Sequence, residues 1–114
     1  MAQYAPTSRR RCRYLVEWRR WGNLCTGFTH DISPTGLFIR TMYIPDTGES
    51  VTVHLLVRNG YKLRLRGTVV RSFRVPSNLR HYVASGFGVR LDDAPEEYFQ
   101  LLANLLRVPL ANAG

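Results

Sequence analysis

Between Lys62 and Arg74 the chain alternates: Leu63, Leu65, Gly67 and Val69 fall on one side, and Lys62, Arg64, Arg66 and Thr68 on the other. A repeat of two is that of a strand with one face buried. The phase reverses at Val70 and Arg71, which predicts a long, bent strand with one bulge. Tyr82 to Leu91 alternates again, with Val83, Ser85, Phe87, Val89 and Leu91 on one face. Gly86 and Gly88 lie opposite, leaving room for a neighbour's close approach. Shorter runs at 14–18, 24–30, 37–41 and 51–57 bring the expected strands to six. In the second of these, Leu24, Thr26 and Phe28 oppose Cys25, Gly27 and Thr29; in the fourth, Thr52, His54 and Leu56 share a side. Turn chemistry separates the runs at Trp21-Gly22-Asn23, Asp31 to Gly36, Pro45 to Gly48 and Pro76-Ser77-Asn78. The strongest hairpin signal is Asn59-Gly60, because both residues tolerate the positive φ of a type I′ turn. Six strands with no helix between them predict an antiparallel barrel or sandwich.

The period changes near the C-terminus. Phe99, Leu102, Leu105 and Leu106 share one helical face, flanked by Tyr98 and Leu101, while Glu96, Glu97, Gln100 and Asn104 point outward. Pro95 suits a first helical turn, the nearby acids suit the positive end of the helix dipole, and Pro109 is expected to stop the helix. One helix over about 95–108 should plug or flank the sheet. Residues 1–8 read as a flexible arm, 9–108 as one domain with its barrel over about 13–91, and 109–114 as a tail.

A chain of 114 residues, 45% apolar, has the material for one small core. Its longest uninterrupted apolar run is three residues, far short of the roughly 20 that a membrane span needs. The expectation is therefore a cytoplasmic protein without membrane insertion. The formal charge is +8, and four of the eight acids lie together at Asp92, Asp93, Glu96 and Glu97, so the preceding body is strongly cationic. All its cations except Lys62 are arginine, the side chain suited to forked recognition of phosphate and of guanine edges. Codon bias in a GC-rich genome gives the same excess without a ligand.

Catalytic chemistry has no support. Cys12 and Cys25 form no CxxC pair, and with His30, His54 and His81 they are scattered over different elements, so no metal site is expected. Asp31, Ser33 and His30 are too close in sequence to align as a relay. Two motifs remain. Arg9-Arg10-Arg11-Cys12-Arg13 is a basic cluster just before the first strand, and Asp31-Ile32-Ser33-Pro34-Thr35-Gly36 interrupts the second and third. Arginine forks can hold phosphate and the O6/N7 edge of guanine, and a carboxylate can accept from guanine N1–H and N2–H₂. Ser33 offers a hydroxyl to phosphate or backbone, and Gly36 allows a positive φ or close approach of a ligand. The same residues could also build no more than an Asx-type turn beside a solvated arm.

The chain resembles the PilZ domain family, bacterial receptors for cyclic di-GMP, through RxxxR at Arg9 to Arg13 followed about 20 residues later by [D/N]xSxxG at Asp31 to Gly36. The late strand Gly86-Phe87-Gly88-Val89-Arg90-Leu91 and the terminal helix add to the likeness, which covers about residues 9–108. The resemblance implies an all-β fold, a six-stranded antiparallel PilZ-like β-barrel with one C-terminal α-helix. It also implies a non-enzymatic receptor or adaptor, with Arg9, Arg10, Arg13, Asp31, Ser33 and Gly36 in the ligand site. Arg11 falls at a variable position, and Arg71 and Arg90 are candidates for a further base contact. No cofactor is implied beyond cyclic di-GMP as ligand; binding would order the arm and change the surface offered to an effector protein in trans. Two alternatives stand beside this one. A small cationic barrel with Trp18, Trp21 and Tyr82 exposed could stack nucleic-acid bases, or a ligand-independent scaffold could act through protein contacts alone.

Overall fold

The computed structural model describes residues 9–79 and 85–113, with side chains through residue 105. The expected arm at 1–8, His81 and Tyr82 lie outside these residues. Strands β1 (Arg10–Arg11), β2 (Leu15–Arg20), β3 (Asn23–Ile32), β4 (Gly36–Arg40), β5 (Ser50–Leu56), β6 (Lys62–Phe73) and β7 (Gly86–Asp93) precede one helix, α1 (Glu96–Ala113). The sheet order is β1-β3-β2-β5-β6-β7-β4, and a further β3–β4 pairing joins its ends. All pairings are antiparallel, so β2 to β7 form a closed six-stranded barrel with no free edge. The two-residue β1 lengthens the wall by pairing Arg10 with Ile32 and Arg11 with Asp31.

Alternation closes the core. Val16 and Trp18 of β2, Val53 and Leu55 of β5, Leu65 and Val69 of β6, and Phe87 and Val89 of β7 all point inward and are buried. Trp18 is 2% exposed and meets Phe87 edge to face at 5.2 Å between ring centres. It is thus removed from the exposed aromatics expected above, because the period of two that buries Val16 also buries Trp18. Each buried aliphatic or aromatic side chain contributes about 1.5–3 kcal/mol.

The turns follow their residue chemistry. Asn59 and Gly60 both take positive φ (64° and 75°), and Tyr61 N–H closes onto the Arg58 carbonyl, as the type I′ reading requires. A second two-residue turn, Trp21-Gly22, joins β2 to β3, also with both φ positive (53° and 81°). The bulge expected at Val70 is present between Val69 and Arg71, and two further register shifts fall at Arg66/Gly67 and at Thr29/Asp31. Of the two glycines expected to admit a neighbour, only Gly86 does: a Cβ there would lie 2.3 Å from the Ile39 carbonyl oxygen, whereas at Gly88 the nearest atom would be at 3.6 Å.

The helix covers one end of the barrel, but with a different leading residue than expected. Tyr98 and Leu102 are buried, Leu101 and Leu105 half-buried against the core, and Phe99 faces solvent. The helix backbone also runs through Pro109 to Ala113 instead of stopping at 108. Proline fixes φ near the helical value, so its penalty is one missing N–H bond and a clash with the preceding turn, which disfavours continuation without forbidding it. Among the described residues no helix is long and apolar enough to cross a membrane.

Candidate functional site

The two motifs meet where β1 lies along the end of β3. Arg11 pairs with Asp31 and Leu15 with Phe28, so the register slips by one residue between β1 and β2. Thr29 fills the gap: its Oγ1 accepts from Tyr14 N–H (2.8 Å) and donates to the Cys12 carbonyl (2.6 Å). Cys12 is half-buried there, and desolvation pushes its thiol above the ordinary value, with an opposing hydrogen bond from Thr29. Arg13 lies on the exposed side of the alternation with Arg9 and Arg11, and its guanidinium sits 4.2 Å from the centre of the Phe28 ring.

Asp31 receives Arg9. The Arg9 guanidinium donates to the Asp31 carboxylate, whose side chain is 19% exposed, while Arg9 itself remains 46% exposed. A carboxylate held by an exposed arginine is paired without being sealed, so another donor can compete for it.

Ser33 and Gly36 build the turn itself. Ser33 is fully buried; its Oγ donates to the Gly36 carbonyl (3.1 Å) and accepts from the N–H groups of Gly36 (3.2 Å) and Thr35 (3.3 Å). Its N–H donates to the same Gly36 carbonyl at 2.8 Å. The hydroxyl is therefore used on backbone, the second of its two options. Gly36 has no positive φ, and a Cβ there would lie 2.3 Å from the Val89 carbonyl oxygen. Glycine is required there because β7 passes against the turn. The turn is fastened from below: Tyr98 of α1 donates its hydroxyl to the Ser33 carbonyl at 2.7 Å, and burial pushes the Tyr98 phenol well above the ordinary tyrosine range.

Beside this turn an open cleft of about 560 Å³ is lined by Arg11, Cys12, Arg13, Phe28, Thr29, His30 and Arg40. It lies within the size range of small-ligand sites. Arg40 reaches it because β4 pairs Arg40 with Phe28, and His30 because it alternates with buried Thr29 onto the same face as Phe28, where it meets the Phe38 ring edge to face at 6.3 Å. The sequence reading missed Phe28, His30 and Arg40, and set Arg11 aside. The alternation of the second strand did put Phe28 on the face opposite Thr29, the one signal that bore on it. Arg10 is half-buried on β1, opposite Ile32. Arg90, paired with Gly36, lies 3.7 Å from Asp92, and Arg71, paired with Gly88, is exposed on β6; neither lines the cleft. Among the described residues no cluster of three or more His, Cys, Asp or Glu could hold a metal.

The model of the PilZ domain family matches residues 6–107. This chain belongs to the PilZ domain family. A solved structure of the Bacillus subtilis inhibitor of motility, MotI/DgrA, superposes with a TM-score of 0.72 at 15% identity, covering 90% of this chain and 50% of that one. The PilZ chain here thus spans half the length of that protein, and the likeness carries the barrel-plus-helix fold. No curated protein sequence matches the chain. The PilZ family comprises receptor and adaptor domains, and no catalytic family is indicated.

Proposed function

We propose that this PilZ domain is a non-enzymatic receptor for cyclic di-GMP acting in the cytoplasm, where the ligand reorganises the N-terminal arginines and changes the surface offered to an effector. The observation that carries the reading is the Arg9–Asp31 pair between the start of β1 and the end of β3, in the segments that also carry Arg11 and Arg13 of the cleft; of the six expected site residues Arg13 lines that cleft, and Arg9, Arg10, Asp31, Ser33 and Gly36 do not. Guanine presents N1–H and N2–H₂ to Asp31, the acceptor that Arg9 now occupies. Exchange leaves the carboxylate paired and frees the Arg9 guanidinium for O6/N7 or phosphate. Arg13, stacked on Phe28, is already oriented as a flat cation on which a base can lie, and the cleft's cations offset the two phosphodiester charges. Ser33 and Gly36 act by holding Asp31 in place through the turn. Ordering the arm costs about 1–2 kcal/mol per residue fixed, which the new charge-assisted contacts must exceed.

Calorimetric titration with cyclic di-GMP tests this. Wild-type protein binds, and Asp31→Ala or Arg13→Ala loses about 1.5–3 kcal/mol, tenfold or more in affinity. Arg19→Ala, at the end of β2 far from the cleft, leaves binding unchanged. Absence of heat with the wild type would leave a PilZ interaction module in which Arg9–Asp31 is only a structural pair.

A further inference from the structure

The β2–β3 turn carries a residue that the turn itself does not want. Type I′ positions favour glycine, asparagine or aspartate, yet Trp21 sits there at φ 53° and is 84% exposed. Its conformation is strained, and its ring gains no core burial in return. Strain kept at an exposed aromatic points to a use outside the folding of the chain. The ring is also held: the Arg20 guanidinium lies 4.2 Å from its centre, and Arg20 is in turn fixed by Glu49 at 2.8 Å.

Trp21 is not alone. Leu24, Met42 and Tyr43 are each more than half exposed and line one cavity of about 450 Å³ with Trp21, Arg20 and Arg74. No carboxylate lines that cavity. Arg20 is held between Glu49 at 2.8 Å and Asp46 at 3.7 Å, whereas Arg74 donates to the Ile44 carbonyl and has no acidic partner among the described residues. Tryptophan, tyrosine, methionine and arginine are the side chains enriched at the centres of protein interfaces.

We propose that this end of the barrel is a docking site for a protein segment that presents one apolar side chain flanked by carboxylates. The apolar side chain enters the cavity between Trp21 and Tyr43, and a carboxylate meets Arg74. A nucleic acid fits less well, since one face of Trp21 is already covered by Arg20 and a single unpaired guanidinium offers no track for a phosphate backbone. The site is separate from the cyclic di-GMP reading. Strand β3 runs from Asn23 beside this cavity to Ile32 beside the motif turn, about 30 Å at the usual rise per residue.

The test is an NMR titration of the full chain with the capped peptide acetyl-Asp-Leu-Glu-amide, set against acetyl-Asp-Gly-Glu-amide and acetyl-Lys-Leu-Lys-amide. The expected result is amide shifts at Trp21, Leu24, Met42 and Tyr43, with none at Asp31 to Gly36, and weaker binding of both control peptides. Trp21→Gly relieves the strained φ, so it should fold at least as well by urea midpoint, and it should bind the peptide roughly tenfold more weakly; Arg74→Ala should abolish the preference for the acidic peptide. Three results would overturn the proposal: equal binding by Trp21→Gly, tighter binding of an eight-residue oligothymidylate at the same residues, or a wild-type dimer in sedimentation that Trp21→Gly converts to monomer, which would make a second copy the occupant.

Discussion

Tyr98→Phe isolates the contact that joins the helix to the motif turn. Phenylalanine fills the same buried space, so the perturbation is the loss of one donor from the Ser33 carbonyl at 2.7 Å. That carbonyl belongs to a fully buried residue and would be left without this partner, at a cost of about 1–3 kcal/mol. With urea slopes of about 1–3 kcal/mol per molar, the midpoint should fall by roughly 1 M. A pH series adds a second reading. Burial raises the Tyr98 phenol above its ordinary 10.0, so the folded protein keeps the proton that the unfolded chain releases. Its contribution is fully present below about pH 10 and is lost as pH climbs toward the folded value, with a slope near 1.4 kcal/mol per pH unit. Phenylalanine carries no such proton, while the raised groups of Cys12 and Tyr14 titrate in both proteins. The stability gap between wild type and variant should therefore shrink above about pH 10 and close within one or two further units. A gap that is absent at neutral pH, or that stays constant to pH 11.5 (about the limit of reversible unfolding), would refute the coupling.

Gly36→Ala should destabilise the barrel by about 1–3 kcal/mol, because the new Cβ would lie 2.3 Å from the Val89 carbonyl and the β4–β7 seam must open; urea unfolding reads it directly. Arg9→Ala should change stability by less than about 1 kcal/mol, since Arg9 is exposed, yet lower cyclic di-GMP affinity about tenfold or more in calorimetry. Glu49 is held below its ordinary 4.5, first by the Asp46 N–H and then by Arg20, so its contribution is present above about pH 4.5 and lost as pH falls. Glu49→Gln should flatten the acid limb of a stability-against-pH curve.

Local rules account for much of this molecule. Period-two alternation located the strands, including the long one at Lys62–Phe73 and its Val70 bulge, because a half-buried strand repeats in its own sequence. Asn59-Gly60 identified its turn for an equally local reason, namely which residues accept positive φ. The motifs at Arg9 to Arg13 and Asp31 to Gly36 were legible as patterns, and both fall within the stretch that the family model matches.

What each residue does was settled elsewhere. Alternation says that Trp18 and Arg19 face opposite ways, but only closure of the barrel decides which face is inside. Phe28 and Arg40 are twelve positions apart and share a cleft because β3 and β4 pair in one register. Ser33 and Gly36 carry the marks of a ligand motif, yet their atoms are taken up by a turn, by β7 and by Tyr98 of a helix 65 residues away. Periodicity is written in nearest neighbours along the chain, whereas burial, close approach and hydrogen-bond partners depend on segments the sequence does not put side by side.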